Sequence, residues 1–154
     1  MSDVNEKLFN KVLNYLSYRS RTKKELVDYL SKKKATDEES ENIITRLDEL
    51  GFIDDGDFVD QFISSRMKKG KGPKKIYFDL LNKGVEKDTI NKKLSKIDDN
   101  QWLESALSVI KKKERLWGKL SHFKQKQKIY QLLYSWGYTN PTNKAVIDAL
   151  AHQE

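Results

Sequence analysis

The chain has 154 residues, of which 37% are hydrophobic and 34% charged, with a formal charge of +7 and a pI of about 9.4. It has no cysteine and only two histidines, His122 and His152. That excludes thiolate catalysis, disulfides and zinc–cysteine sites, and leaves too few imidazoles for most metal–histidine sites. Its apolar runs are only a few residues long, too short for a spanning helix, and the opening MSDVNEKL lacks the apolar core of a signal peptide.

A cytoplasmic protein is therefore expected, and its wet composition suits an elongated array of thin layers better than one round domain. The predicted elements are all helices, marked by apolar residues at helical spacing. Leu8, Phe9, Val12, Leu13 and Leu16 form the first stripe. Leu26, Val27 and Leu30 form the second, opened by Thr22 with Glu25 at capping-box spacing. Ile43, Ile44, Leu47 and Leu50 form the third, opened by Thr36 with Glu39 and stopped by Gly51. Phe58, Val59, Phe62, Ile63 and Met67 form the fourth, with Asp54 as N-cap and Ile53 stapled to Phe58. Ile76, Leu80 and Leu81 lie between Gly72-Pro73, which fits a cap with proline at the first helical position, and the stop at Gly84. Ile90, Leu94 and Ile97 follow Glu86, a poor N-cap, which puts the start of the sixth helix a residue or two further on. Trp102, Leu103, Ala106, Leu107 and Ile110 make a long seventh stripe after Asp98. Ile129, Leu132, Leu133 and Trp136 make the eighth, stopped by Gly137. Val146, Ile147 and Leu150 make the ninth, after Asn140-Pro141. The reading is all-α, with about nine helices and no strand.

A repeat runs through these elements. Lys24-Glu25-Leu26 through Lys34-Ala35 resembles Lys74-Lys75-Ile76 through Gly84-Val85, and also Gln127-Lys128-Ile129 through Gly137-Tyr138. A period near 50 residues implies tandem units that bury their faces against one another. The expected units are three-helix, helix-turn-helix-like repeats at 5–53, 54–97 and 98–152, stacked into an elongated, curved array. A monomer is expected.

Charge is segregated. Asp37 to Asp60 holds ten acidic residues and only Arg46 as a base, whereas Arg66 to Lys75 holds six bases and no acid. Lys111 to Lys128 holds eight bases against Glu114, and Arg19, Arg21, Lys23 and Lys24 open the second helix. Such clusters either complement helix C-termini as solvated faces or meet phosphates or an acidic partner. In the 66–75 segment, Gly70 and Gly72 are expected to free backbone N–H groups, which favours binding. The candidate contacts are Arg66, Lys68, Lys69, Lys71, Lys74 and Lys75 first, then Arg19, Arg21, Lys23 and Lys24, then Lys124, Lys126 and Lys128.

Asp54, Asp55 and Asp57 are the only grouping that looks like metal ligation or paired-carboxylate chemistry, but no Glu follows at the calcium-loop position. A cap and first-turn carboxylates explain all three. No Ser-His-Asp, HExxH or phosphate-loop spacing exists, and no cofactor or metal is expected. Tyr15, Tyr18, Tyr29, Tyr77, Tyr130, Tyr134 and Tyr138 are able to stack on bases but fit the rim of a core better. His122 is read as a residue of a basic, irregular loop.

The stretch YLSYRSRTKKEL, Tyr15 to Leu26, resembles the opening motif of the RecX family. LDELGFIDDGDFVDQFISSRMKKGKGPKKIYFDLLNKGV, Leu47 to Val85, resembles its central signature: the Gly-aromatic-x-Asp-Asp turn, the Phe-x-x-x-Arg helix end, the Lys-Gly-Pro start and the Lys-Gly-Val stop. KQKIYQLLYSWGY matches more weakly. Glu86 departs from the usual Asp cap, and Lys34-Ala35 from the usual Gly-hydrophobic stop. The resemblance implies tandem three-helix repeats and a non-enzymatic regulator of DNA repair and recombination. Such a regulator binds the RecA filament in its groove and inhibits its ATPase, strand-exchange and coprotease activities. Contacts to single- or double-stranded DNA would accompany that binding. The rival expectation is a stand-alone DNA-binding helical module, since helix-turn-helix units place a recognition helix in the major groove. The acidic third helix (Glu38, Glu39, Glu41, Asp48 and Glu49) argues against it.

Overall fold

The computed structural model describes residues 3–151, so His152 lies outside it. The described residues form nine helices and no strand: α1 (Asp3–Tyr18), α2 (Lys23–Lys32), α3 (Asp37–Glu49), α4 (Asp55–Lys68), α5 (Pro73–Asn82), α6 (Lys87–Leu94), α7 (Asp99–Trp117), α8 (His122–Ser135) and α9 (Asn140–Ala151). No helix among them is long and apolar enough to cross a membrane.

The ends of the helices follow from local chemistry. Thr22 and Thr36 each accept the N–H of the glutamate three residues on, and each glutamate returns the bond to the cap's own N–H. Asp98 does the same with Gln101. Asp54 caps α4 by accepting the N–H of Asp57 at 3.1 Å, so the carboxylate grouping begins with a helix cap. Five helices stop in one way. Lys34, Gly51, Gly70, Gly84 and Gly137 all have positive φ. Each donates its N–H to the carbonyl three residues back, and the next residue donates to the carbonyl five back, as in Tyr138 to Leu133 at 2.9 Å.

Four boundaries differ from the sequence expectation. α6 starts at Lys87, directly after Glu86, although the Glu86 side chain makes no cap bond. The buried Val85, which ends the previous turn by donating to Leu80, fixes that start. α9 begins at Asn140, one residue earlier than a cap at that position allows. α8 begins at His122, about two turns before its apolar stripe. Ser121 caps it by accepting the N–H of Lys124, and the Gln125 amide donates to the carbonyls of Trp117 and Leu120 at 3.2 and 2.9 Å. His122 is therefore the first residue of a helix and not part of a loop. α7 likewise runs on past Ile110 to Trp117.

Each of the closest helix pairings lies within one of three triplets, α1–α3, α4–α6 or α7–α9. The apolar cores group differently. Leu8, Phe9, Val12, Leu26, Leu30, Ile43, Ile44 and Leu47 form one core inside the first triplet, with Ile53 packed against it. The buried residues of the other two triplets merge into a second core that runs from Phe58 through Ile90 and Ile110 to Val146. Burying that much aliphatic and aromatic surface is the main source of stability.

The triplets meet in a recurring way: the start of one triplet's second helix sits on the end of the next triplet's second helix. At the first joint, the Thr22 hydroxyl donates to the carbonyl of Lys83 at 2.8 Å, and the stem of Lys24 lies over Gly84. At the second, the N–H of Gly72 donates to Trp136 O at 2.7 Å and that of Lys74 to Gly137 O at 2.9 Å. Here backbone touches backbone. A Cβ on Gly72 would lie 2.5 Å from the Gly137 carbonyl carbon, and one on Gly137 would lie 2.4 Å from Lys75 N. Positive helix starts thus face negative helix ends, a favourable alignment of dipoles. Tyr138 braces the second joint from below. Its hydroxyl donates to Gly70 O at 2.8 Å, and it packs edge-on against Trp102. Burial raises the pKa of that hydroxyl, with Ser105 pulling the other way through its hydrogen bond.

Candidate partner-binding surface

The basic segment 66–75 divides into two parts with different work. Lys71 is half-buried with its ammonium 4.2 Å from the Trp136 ring centre, and Lys75 pairs with Asp79 at 3.3 Å. The N–H groups that Gly70 and Gly72 were expected to free are all used. Gly70 donates to Met67 O, Lys71 to Arg66 O, Gly72 to Trp136 O and Lys74 to Gly137 O. The glycines serve the helix stop and the joint, because any side chain there would collide with the next triplet. The solvated bases of this segment are Lys68 and Lys69, at the end of α4, together with the side chains of Lys74 and of Lys75, the last in its surface pair with Asp79. Lys68 and Lys69 border a shallow depression with Asp60, Gln61, Ser64 and Ser65.

The cluster at the start of α2 is also mostly structural. Arg21 stacks on Tyr15, its carbon centre 3.8 Å from the ring centroid, and Tyr15 stacks in turn on Tyr29 at 4.2 Å. Lys24 covers Gly84 and reaches the carbonyl of Asn82 at 3.3 Å. Lys23 is exposed, and its backbone N–H donates to the Asp55 carboxylate at 3.3 Å. Burial raises the pKa of Asp55, against the Lys23 hydrogen bond that lowers it. Arg19 forms a 2.6 Å ion pair with Glu25, whose carboxylate also meets Lys83 at 3.4 Å. Burial pushes Glu25 up. The Arg19 and Thr22 hydrogen bonds and the charges of Arg19 and Lys83 outweigh it, and the carboxyl is held below its ordinary range. The same bond to Glu25 raises the pKa of Arg19.

Two predicted candidates from distant parts of the chain come together. Arg19 and Arg66 line one cleft of about 270 Å³ between the first and second triplets, with Ser20, Phe58, Gln61, Phe62, Ser65 and Lys83. Arg66 lies over the Phe62 ring at 4.5 Å and, among the described residues, has no carboxylate within ion-pair distance. Lys83 was not among the predicted contacts. Its only signal is its place one residue before Gly84, the stop that receives the first joint. Lys124, Lys126 and Lys128 stand apart from this cleft, exposed on the first two turns of α8. Lys126 borders a second, more apolar groove of about 630 Å³ with Ile110, Trp117, Phe123, Ile129 and Leu150. The first turn of α8 itself contains no acidic residue.

Comparison with known proteins places the chain. Residues 9–47 match the family model described as RecX, first three-helix domain, and residues 54–94 match RecX, second three-helix domain. Regulatory protein RecX of Lactobacillus johnsonii is 34% identical over 139 residues, covering 90% of this chain and 51% of that protein. Regulatory protein RecX of Bacillus subtilis is 30% identical over 152 residues, covering 98% of this chain and 58% of that protein. The chain thus spans between about half and three fifths of the length of these relatives. The crystal structure of RecX from Lactobacillus salivarius superposes with a TM-score of 0.89 at 28% identity, covering 98% of this chain and 99% of that one. Nine helices in the described residues, two matched three-helix domains and these relatives together establish that the chain belongs to the RecX family of regulatory proteins.

Proposed function

We propose that this chain binds the RecA recombinase filament in the cytoplasm and lowers its ATPase, strand-exchange and coprotease activities, as a monomeric, non-enzymatic regulator in DNA repair and recombination. The observation that carries the reading is the family membership joined to basic side chains on successive triplets: Arg19 and Lys23 on the first, Arg66, Lys68, Lys69 and Lys74 on the second, and Lys124, Lys126 and Lys128 on the third. The triplets serve as the repeats 5–53, 54–97 and 98–152, each offering its own positive face to the filament. Binding one filament state in preference to another shifts the equilibrium between them by the difference in affinity. Lys68, Lys69 and Lys74 are the leading contacts in the central segment, with Lys71 laid on Trp136 at the joint beside them and Lys75 paired with Asp79. The bound DNA strand lies within reach of the same faces as a secondary partner.

The test is RecA ATPase on single-stranded DNA, titrated with this chain. Inhibition is expected, and it should weaken several-fold when Lys68 and Lys69 are both changed to Glu, which leaves the joint untouched. Equal inhibition by a correctly folded double variant removes these two lysines from the contact. Absence of inhibition by the wild-type chain overturns the reading itself. Tight binding to DNA alone with a steep salt slope would favour a stand-alone DNA-binding module instead.

A further inference from the structure

The cleft between the first two triplets has a composition unlike the other basic surfaces. Two guanidinium groups and one ammonium (Arg19, Arg66 and Lys83) converge on about 270 Å³ of space, with the hydroxyls of Ser20 and Ser65 beside them and the rings of Phe58 and Phe62 as its apolar wall. Among the described residues only the Glu25 carboxylate pairs with these charges, and it meets Arg19 and Lys83 but not Arg66. Arg66 lies over the Phe62 ring, 4.5 Å from its centroid, a contact that restricts the side chain and lowers the entropy lost when a ligand binds. A planar fork presents two parallel N–H donors to an oxyanion.

The surroundings discriminate between oxyanions. A nucleic-acid strand brings a negative charge about every 3.4 Å of axis and needs a row of cations. Around this cleft it would meet carboxylates. Asp57 holds the Gln61 amide at 3.1 Å, and Asp60 is exposed on the same helix and pairs with Lys93 at 2.8 Å. A single carboxylate on a short aliphatic stem avoids them and packs that stem on the phenylalanine rings. Resting on the reading of this chain as a regulator that docks on a protein filament, we infer that this cleft receives one acidic side chain of the partner protein and that Arg66 is its specificity-determining contact. The cleft is built by both triplets, Arg19 and Ser20 from the first and Phe58 to Lys83 from the second, so the contact also reports the correct seating of one repeat on the next.

The experiment uses the full chain labelled at arginine nitrogens. The Nε–H resonance of Arg66 is followed by NMR during titration with blocked glutamate, inorganic phosphate and a single-stranded thymidine oligonucleotide. Saturable movement of Arg66 with blocked glutamate, and a weaker response to the oligonucleotide at equal charge, is expected. No response to glutamate, or tighter saturation by phosphate or oligonucleotide, overturns the inference. In parallel, filament affinity is measured for Arg66→Gln and Arg66→Lys, with Lys87→Gln as a surface control. Both Arg66 variants should bind about tenfold more weakly, because an ammonium does not replace the fork. Wild-type-like binding by both would overturn the cleft contact while leaving the regulatory reading standing. If wild-type chain binds no filament, the regulatory reading fails, and the glutamate titration still decides what the cleft accepts.

Discussion

The N–H of Gly72 donates to the carbonyl of Trp136 at 2.7 Å, so the residue just before α5 is bonded directly to the residue that caps the end of α8, more than sixty residues away. The space between them has no room for a methyl group. Gly72→Ala is therefore expected to cost about 3 kcal/mol, the upper part of the range for overpacking a closed site. Gly137→Ala should cost at least as much, since it adds a left-handed backbone strain of about 1–2 kcal/mol to a 2.4 Å collision with Lys75 N. Urea unfolding with unchanged slope measures both.

The first joint is looser and side-chain mediated. Thr22 is fully buried, accepts the N–H of Glu25 and donates to Lys83 O. Thr22→Val keeps the shape and removes both bonds. A loss of about 1–2 kcal/mol is expected from the missing cap and the unsatisfied carbonyl. A loss below a few tenths would show that water replaces the bond and that the joint is held by apolar contact alone.

Lys34 and Gly84 occupy equivalent helix stops but respond oppositely to substitution. Lys34 holds φ +63 and is exposed. Lys34→Gly exchanges about 1–2 kcal/mol of left-handed strain for about 0.5–1 kcal/mol of chain entropy, so it should leave stability unchanged or raise it slightly. Gly84→Ala puts a methyl 2.5 Å from the Lys24 Cβ and should destabilise. Thermal unfolding of the two variants side by side checks the contrast.

Glu25 gives the chain an acid-sensitive contact. Its carboxyl is held below the ordinary range in the folded state, so its contribution is complete above the unfolded carboxylate pKa and is lost as pH falls through the folded value. Glu25→Gln should lower stability at neutral pH by about 1 kcal/mol, discounted for the partly exposed Arg19, and should flatten the acid limb of the stability curve. An unchanged acid limb would assign that limb to other carboxylates.

The sequence carried most of this fold in local signals. Both Thr-x-x-Glu boxes, the Asp54 cap and the stops at Gly51, Gly84 and Gly137 were legible because each satisfies orphan backbone groups within one turn. The early start of α8 was hidden, since Ser121 caps it without a glutamate partner and its first turn has no buried apolar residue. The candidate surface was less legible. A run of bases reads alike whether a lysine is solvated, as Lys68 is, or laid on an indole, as Lys71 is. The meeting of Arg19 with Arg66 depends on how two triplets seat, and no spacing along the chain encodes it. The departure at Lys34, in contrast, has a physical reason that the joints reveal: Gly84 and Gly137 lie against a neighbouring triplet, whereas Lys34 is exposed.

The second joint closes through main-chain N–H and C=O groups, and its two glycines contribute no side chain. The step from α5 to α8 is thus a property of the polypeptide backbone and not of the residues exposed on either side. Surface substitutions are free to reverse charge or exchange lysine for tyrosine without altering that step. The repeats behave as divisions on a ruler: what is written at each mark varies, while the distance between marks stays fixed.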